Sequence, residues 1–122
     1  MRALWAAVAA LFLFAGPAAA ETAVLRGLDK VTGHARDFTA PVGRAVRFGT
    51  LEIIARSCSK RPAEETPEVT IYVQVFDHPP GRTKGEQTPR TEVFAGWLFA
   101  SSPGISALEH PVYDVWAIDC RA

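Results

Sequence analysis

The chain has 122 residues, 13 basic and 13 acidic side chains, a hydrophobic content of 48% and two cysteines. Its charge is balanced and no run of one sign stands out, which excludes the basic face that a nucleic-acid backbone demands. The length suits one domain and leaves little room for a second or for a deep active-site cleft.

The first twenty residues read as an export signal. Met1 and Arg2 form a short positive start, and Ala3 to Phe14 is an unbroken apolar run of twelve residues. Gly16 and Pro17 break any helix, and Ala18-Ala19-Ala20 supplies a small-x-small cleavage pattern. The run is shorter than the roughly 18–20 apolar residues of a membrane span. No Cys beside the cleavage site offers a lipid attachment point, and no later apolar run is long enough to cross a bilayer. Cleavage after Ala20 leaves Glu21 to Ala122, which is 102 residues with 12 basic and 13 acidic side chains. A domain of that size buries roughly two thirds of its unfolded surface.

The strand period dominates the remainder of the chain. Val24 to Lys30 alternates, with Val24, Arg26 and Leu28 on one side. Thr32-Gly33 marks a tight turn, and Arg36 to Ala40 returns as the second arm of a hairpin. After the Pro41-Val42-Gly43 turn come a short strand at Ala45 to Phe48, a kink at Gly49 and a longer strand from Thr50 to Ser57. Ser59 to Glu68 is a polar loop interrupted twice by proline.

Val69 to Phe76 is the clearest strand, with Val69, Ile71, Val73 and Val75 on one face. Asp77 to Arg90 has the composition of a surface loop. Thr91 to Ala100 is apolar on both faces, which predicts a central strand covered on both sides, with Gly96 marking a bulge. Ile105 to Glu109 can form one helical turn. Val112 to Cys120 is the last strand, with Trp116, Ile118 and Cys120 in phase. About seven short strands joined by Gly/Pro turns predict an all-β fold, a small antiparallel β-sandwich or barrel.

Cys58 and Cys120 in an exported chain predict one disulfide. Its geometry poses a problem. Cys58 has the parity of Glu52 and Arg56 on the polar side of its strand, whereas Cys120 shares the parity of Trp116. Either the strand ends before Cys58 or a bulge switches its face.

Residues with catalytic chemistry are scattered. His34, His78 and His110 form no ligand spacing, and no CxxC is present, so the sequence assigns no metal and no cofactor. Ser101 or Ser102, with Glu109, His110 and Asp114 downstream, supplies the residue types of a hydrolytic triad, but the flanks lack the GxSxG pattern. Glu64-Glu65 lies in a loop, and Asp114 and Asp119 have opposite parity on a strand, so neither is a glycosidase pair. The aromatic residues Trp97, Phe99, Tyr113 and Trp116 either fill the core or, if exposed, anchor a partner or a sugar. The segment Ser101 to Asp114, which includes Glu109, His110 and Tyr113, is longer than a hairpin turn requires. It is either an interface or a cap on one end of the fold.

Two blocks in the C-terminal third, Phe94 to Gly104 and Ala107 to Trp116 followed by Cys120, resemble an exported alphaproteobacterial family known as domain of unknown function 2155. Leu25 to Gly33, Val46 to Ile53 and Cys58 with the Pro62-to-Glu68 loop fit it too. The resemblance implies an exported protein with two cysteines and implies no reaction. It also brings an association, by gene position alone, with an accessory subunit of the respiratory NADH:quinone oxidoreductase.

Together these features predict a periplasmic domain without catalytic activity that binds an envelope protein or a membrane complex. The candidate binding residues are Ser101, Ser102, Glu109, His110, Tyr113, Asp114, Trp97 and Trp116. A carbohydrate or cell-wall binding module and a small serine hydrolase are the alternatives. The signal reading predicts that the exported protein begins at Glu21. Intact mass measurement of periplasmic material checks it, and a mass that still includes Arg2 to Ala20 refutes it.

Overall fold

The computed structural model describes residues 21–122 apart from 63, 81, 82, 84, 86, 87 and 104–107. The expected signal segment at residues 1–20 therefore lies outside the described residues, as does most of the helical turn expected at Ile105 to Glu109. Eight strands run in chain order: β1 (Thr22–Asp29), β2 (Ala35–Pro41), β3 (Ala45–Phe48), β4 (Leu51–Lys60), β5 (Val69–Asp77), β6 (Thr91–Phe99), β7 (Leu108–Glu109) and β8 (Tyr113–Arg121). They form two antiparallel four-stranded sheets, ordered β2-β1-β8-β7 and β3-β4-β5-β6. The fold is thus a sandwich and not a closed barrel. Seven of the strands correspond to expected ones. The eighth, β7, has two residues and takes the end of the expected helical turn. No described helix is long and apolar enough to cross a membrane.

Local chemistry accounts for the turns. The Asp29 carboxylate accepts hydrogen bonds from the Val31 and Thr32 amides, and Gly33 supplies the positive φ of 75° that closes the β1–β2 hairpin. Chain crossing between the sheets occurs at Pro41-Val42-Gly43, where the Val42 amide bonds Glu21 O and the Gly43 amide bonds Ala55 O. The core lies between the sheets. Leu25, Val115 and Ala117 face Leu51, Ile53, Ile71, Val73, Val75 and Leu98 across it. Burying each large aliphatic side chain is worth about 1.5–3 kcal/mol.

In β1, Val24, Arg26 and Leu28 share one side, and Ala23, Leu25 and Gly27 form the inward side. A Cβ at Gly27 would overlap the Phe48 ring. Three details of the sequence reading are corrected. β6 is an edge strand, so its second apolar face is not covered by a sheet. Its bulge residue is Val93, since Phe94 pairs with Val75 and Glu92 with Phe76. Gly96 instead sits in register opposite Val73. In β8, Trp116 and Cys120 do not share a face.

The reason is a pair of bulges. In β4 the inward residues are Leu51, Ile53 and Ala55, and the ladder skips Arg56: Ala55 pairs with Val73, Ser57 with Tyr72 and Cys58 with Ile71. In β8 the inward residues are Val115 and Ala117, and the ladder skips Ile118: Leu25 pairs with Ala117, Val24 with Asp119 and Ala23 with Cys120. Each extra residue shifts the alternation by one. Both cysteines therefore turn inward and form the Cys58–Cys120 disulfide, with a Cα separation of 5.9 Å.

The bridge joins the two sheets, and Cys120→Ala is expected to cost about 2–5 kcal/mol in a denaturant titration. Deleting Arg56 removes only the residue the ladder leaves unpaired, so the bridge should still form. Deleting Arg56 and Ser57 together turns Cys58 outward, and thiol titration should then find both cysteines free.

Candidate functional site

The β5 strand separates the sequence-predicted site residues into two groups. Glu68, just before β5, accepts a short hydrogen bond from the Ser101 hydroxyl and a bond from the Ser101 amide. These bonds, the hydroxyl's first, hold the Glu68 carboxyl below its ordinary range. The Ser102 amide bonds Phe99 O. Asp77, the last residue of β5, receives His110 Nε2 at 2.8 Å. Nine residue steps of strand separate Glu68 from Asp77, which at ~3.3 Å per residue is roughly 30 Å. Ser101 and His110 thus sit at opposite ends of the sandwich, and the described geometry brings no Ser–His pair together from these residues.

The His110 end is the more organised. The Val112 amide donates to His110 Nδ1 at 3.0 Å, so the ring proton sits on Nε2 and is donated to Asp77. Both ring nitrogens are engaged. The other Asp77 oxygen accepts from the Thr50 hydroxyl at 2.7 Å. Burial pushes the Asp77 carboxyl up, but the hydrogen bonds from Thr50 and His110 together outweigh it, and the net shift is downward. Beside it, His78 Nε2 lies 2.6 Å from Glu52 Oε2, and Arg90 lies 3.1 Å from Glu52 Oε1. The His78 hydrogen bond, and after it Arg90, hold the Glu52 carboxyl low. The Arg90 guanidinium also lies 4.0 Å from the centre of the Phe76 ring.

Tyr113 joins this network to a cleft. Its ring stacks on His110 at 5.6 Å and meets Phe48 edge-on at 5.6 Å. Gly49 has a φ of 58°, and a Cβ there would overlap the Tyr113 hydroxyl. The cleft, about 640 Å³, runs between the β1–β2 turn and the Phe48-Gly49 turn. His110 and Tyr113 therefore pack together at this end of the sandwich. Asp114 is tied to Lys30 at 3.1 Å. Glu109 pairs through its backbone with Asp114, and its side chain lies outside the described residues. No three His, Cys, Asp or Glu side chains among the described residues are grouped as metal ligands.

The tryptophans divide as well. Trp116 is half-buried and sits opposite Arg26 on β1. Trp97 is 47% exposed, with Phe99 at 38% and Val93 at 39% on the same edge strand. Trp97 packs edge-to-face on Tyr72, centroids 5.2 Å apart. Sequence reasoning picked out Trp97 and missed Tyr72. The signal available was the residue type alone, since the Tyr72↔Trp97 register depends on the Val93 bulge only through the phase it leaves behind.

Residues 23–120 match a bacterial family described as "Uncharacterized protein conserved in bacteria (DUF2155)". The chain belongs to this family. The match runs from the inward-facing Ala23 to Cys120, so both halves of the disulfide lie inside the DUF2155 region. A similar protein is the "Uncharacterized protein RP359" of Rickettsia prowazekii (strain Madrid E), 27% identical over 93 residues. The alignment takes in 76% of this chain and 56% of that relative, so this DUF2155 chain spans about half the length of the curated relative it matches. No solved structure matches the chain.

The His110 network generates a pH dependence. The lowered Asp77 pKa means that this carboxylate stabilises the fold above its unfolded value of about 3.9. The contribution disappears as the pH falls through the lower folded value. Thermal melts of the wild type between pH 6 and pH 2 should show a steeper acid decline than melts of Asp77→Asn, with the two curves converging at the acid end.

Proposed function

We propose that this DUF2155 protein is an exported, periplasmic binding domain that works by contact and without catalysis. Its partner is an envelope protein or a subunit of a membrane complex that docks along β6. The observation that supports this reading is the exposed apolar character of an edge strand. Edge strands present unpaired backbone groups and are normally blunted by charge, proline or cover. β6 instead carries Val93, Trp97 and Phe99 at its surface, and its ladder partner among the described residues is β5 alone. Such an edge suits an extended segment of a partner, which adds main-chain hydrogen bonds while the aromatic residues supply anchors.

Two features weigh against the alternatives. The Tyr72 and Trp97 rings meet at 72°, which offers one ring face and not the coplanar platform that favours a stacked sugar. Ser101 is held by Glu68 and His110 by Asp77, far from one another, so these two residues do not form the nucleophile–base pair that a hydrolase needs.

A photo-crosslinking amino acid at position 97 or at position 116, expressed in intact cells, tests the reading. A discrete adduct is expected at position 97 and not at the half-buried position 116. Ala95→Pro, which blocks pairing at the exposed edge, should remove that adduct while the purified variant keeps the wild-type melting temperature within a few degrees. Equal labelling from both positions, or an undiminished adduct in folded Ala95→Pro, rejects β6 as the docking edge.

A further inference from the structure

We propose that the cleft between the β1–β2 turn and the Phe48-Gly49 turn is a binding site for a single carboxylate carried on a flat apolar body. Its volume, about 640 Å³, falls within the range of roughly 300–1,000 Å³ typical of small-ligand sites. It is distinct from the β6 surface and stands on separate observations.

The apolar part of the site is Phe48 with Tyr113. Phe48 is buried in the core and backed by the stacked Phe38 ring at 5.2 Å. Tyr113 is held on its other side by His110, which Asp77 and the Val112 amide fix in turn. Gly49, lacking a Cβ, leaves the space that the Tyr113 ring occupies beside the backbone. This wall is set before any ligand arrives, so binding spends little on ordering it.

The polar part is Arg36. Its guanidinium carbon lies 4.9 Å from the Phe48 ring centre and 5.6 Å from that of Phe38. The rings position the group without using its N–H donors, and Arg36 makes no ion pair among the described residues. The neighbouring Asp37 carboxylate is taken by Arg26 through two contacts. A planar guanidinium with free donors on an aromatic support matches a carboxylate by a two-point hydrogen bond. The Tyr113 hydroxyl, which makes no hydrogen bond among the described residues, and His34 also line the cleft and can complete the contact. Asp29 lines it as well. Its negative charge opposes a doubly charged phosphate and sets the preference for one negative charge on an apolar group.

Such a carboxylate belongs either to a free small acid or to the C-terminus of a peptide. Amide NMR titrations of the purified chain with phenylacetate, with an acetylated tripeptide ending in phenylalanine, with the same tripeptide amidated, and with inorganic phosphate distinguish them. Saturable shifts confined to Gly33, Ala35, Arg36 and Gly49 are expected with both acids. The amide and phosphate should bind at least about tenfold more weakly. The tripeptide binding more tightly than phenylacetate identifies a peptide terminus as the ligand, and equal or weaker binding identifies a small acid. Arg36→Gln should weaken both acids about tenfold, and Arg47→Gln, on the exposed side of β3, should not. Arg36→Lys keeps the charge but loses the planar fork, and is expected to bind more weakly even if Arg36→Gln is unstable. Absence of saturation, equal binding of acid and amide, or unchanged affinity in folded Arg36→Lys overturns the proposal.

Discussion

A disulfide across a β-sandwich requires two side chains to point into the same narrow layer, and strict alternation denies this to Cys58 and Cys120. The inward residues of their strands, Leu51, Ile53 and Ala55 in β4 and Val115 and Ala117 in β8, all have odd numbers. Both cysteines have even ones. One extra residue in each strand, Arg56 and Ile118, resolves the conflict. The closed loop, with a sequence separation of 62 residues, is worth about 4 kcal/mol in the chain-entropy model. That is a large share of the ~5–15 kcal/mol available to a whole domain. With the cysteines at these sequence positions, the two extra residues are what turns both side chains inward, and the register of both sheets near the bridge depends on them.

The opposite end has no such tie and is held by hydrogen bonds. Asp77 at the end of β5 gathers Thr50 from the β3–β4 turn and His110 from the β7–β8 turn. It thereby connects one sheet to the other through a carboxylate and a ring. His110 passes the constraint to Tyr113, and Tyr113 to Phe48. The sandwich is thus fastened covalently at one end and by a titratable network at the other, with the apolar core between them. The cleft lies at the titratable end, where the Arg36 guanidinium reaches solvent over the Phe48 and Phe38 rings.

Legibility in the sequence tracked how local each feature was. β5, with four β-branched residues at alternate positions, and the β1–β2 hairpin, with its Asp29 cap and Gly33, depend on neighbours within a few residues. Both were readable. The bulges left a trace, the wrong parity of Cys58, but nothing local says which residue a ladder will skip. β6 was misread because a strand apolar on both faces looks the same whether its second face is covered by protein or left exposed. The His110–Asp77 pair spans 33 positions and exists only because β5 and the β7–β8 turn end side by side. The sequence marked His110 without showing its partner. Ser101 was likewise marked beside a His that lies far from it.

The pairing of β1 with β8 has a consequence for how the molecule is made. These are the first and last strands of the domain, and they are neighbours in the middle of their sheet, with Thr22 opposite Arg121. The sheet β3-β4-β5-β6, by contrast, is a run of consecutive strands whose contacts are comparatively local. A chain emerging N-terminus first can assemble that second sheet early, while β1 and β2 wait as an isolated hairpin with little stability of its own. Completion must come last, when β8 arrives to fill the gap and carries Cys120 to Cys58. Because pairings of such long sequence separation form slowly, closure of this sheet waits for β8, and an oxidant present at that step captures the finished arrangement.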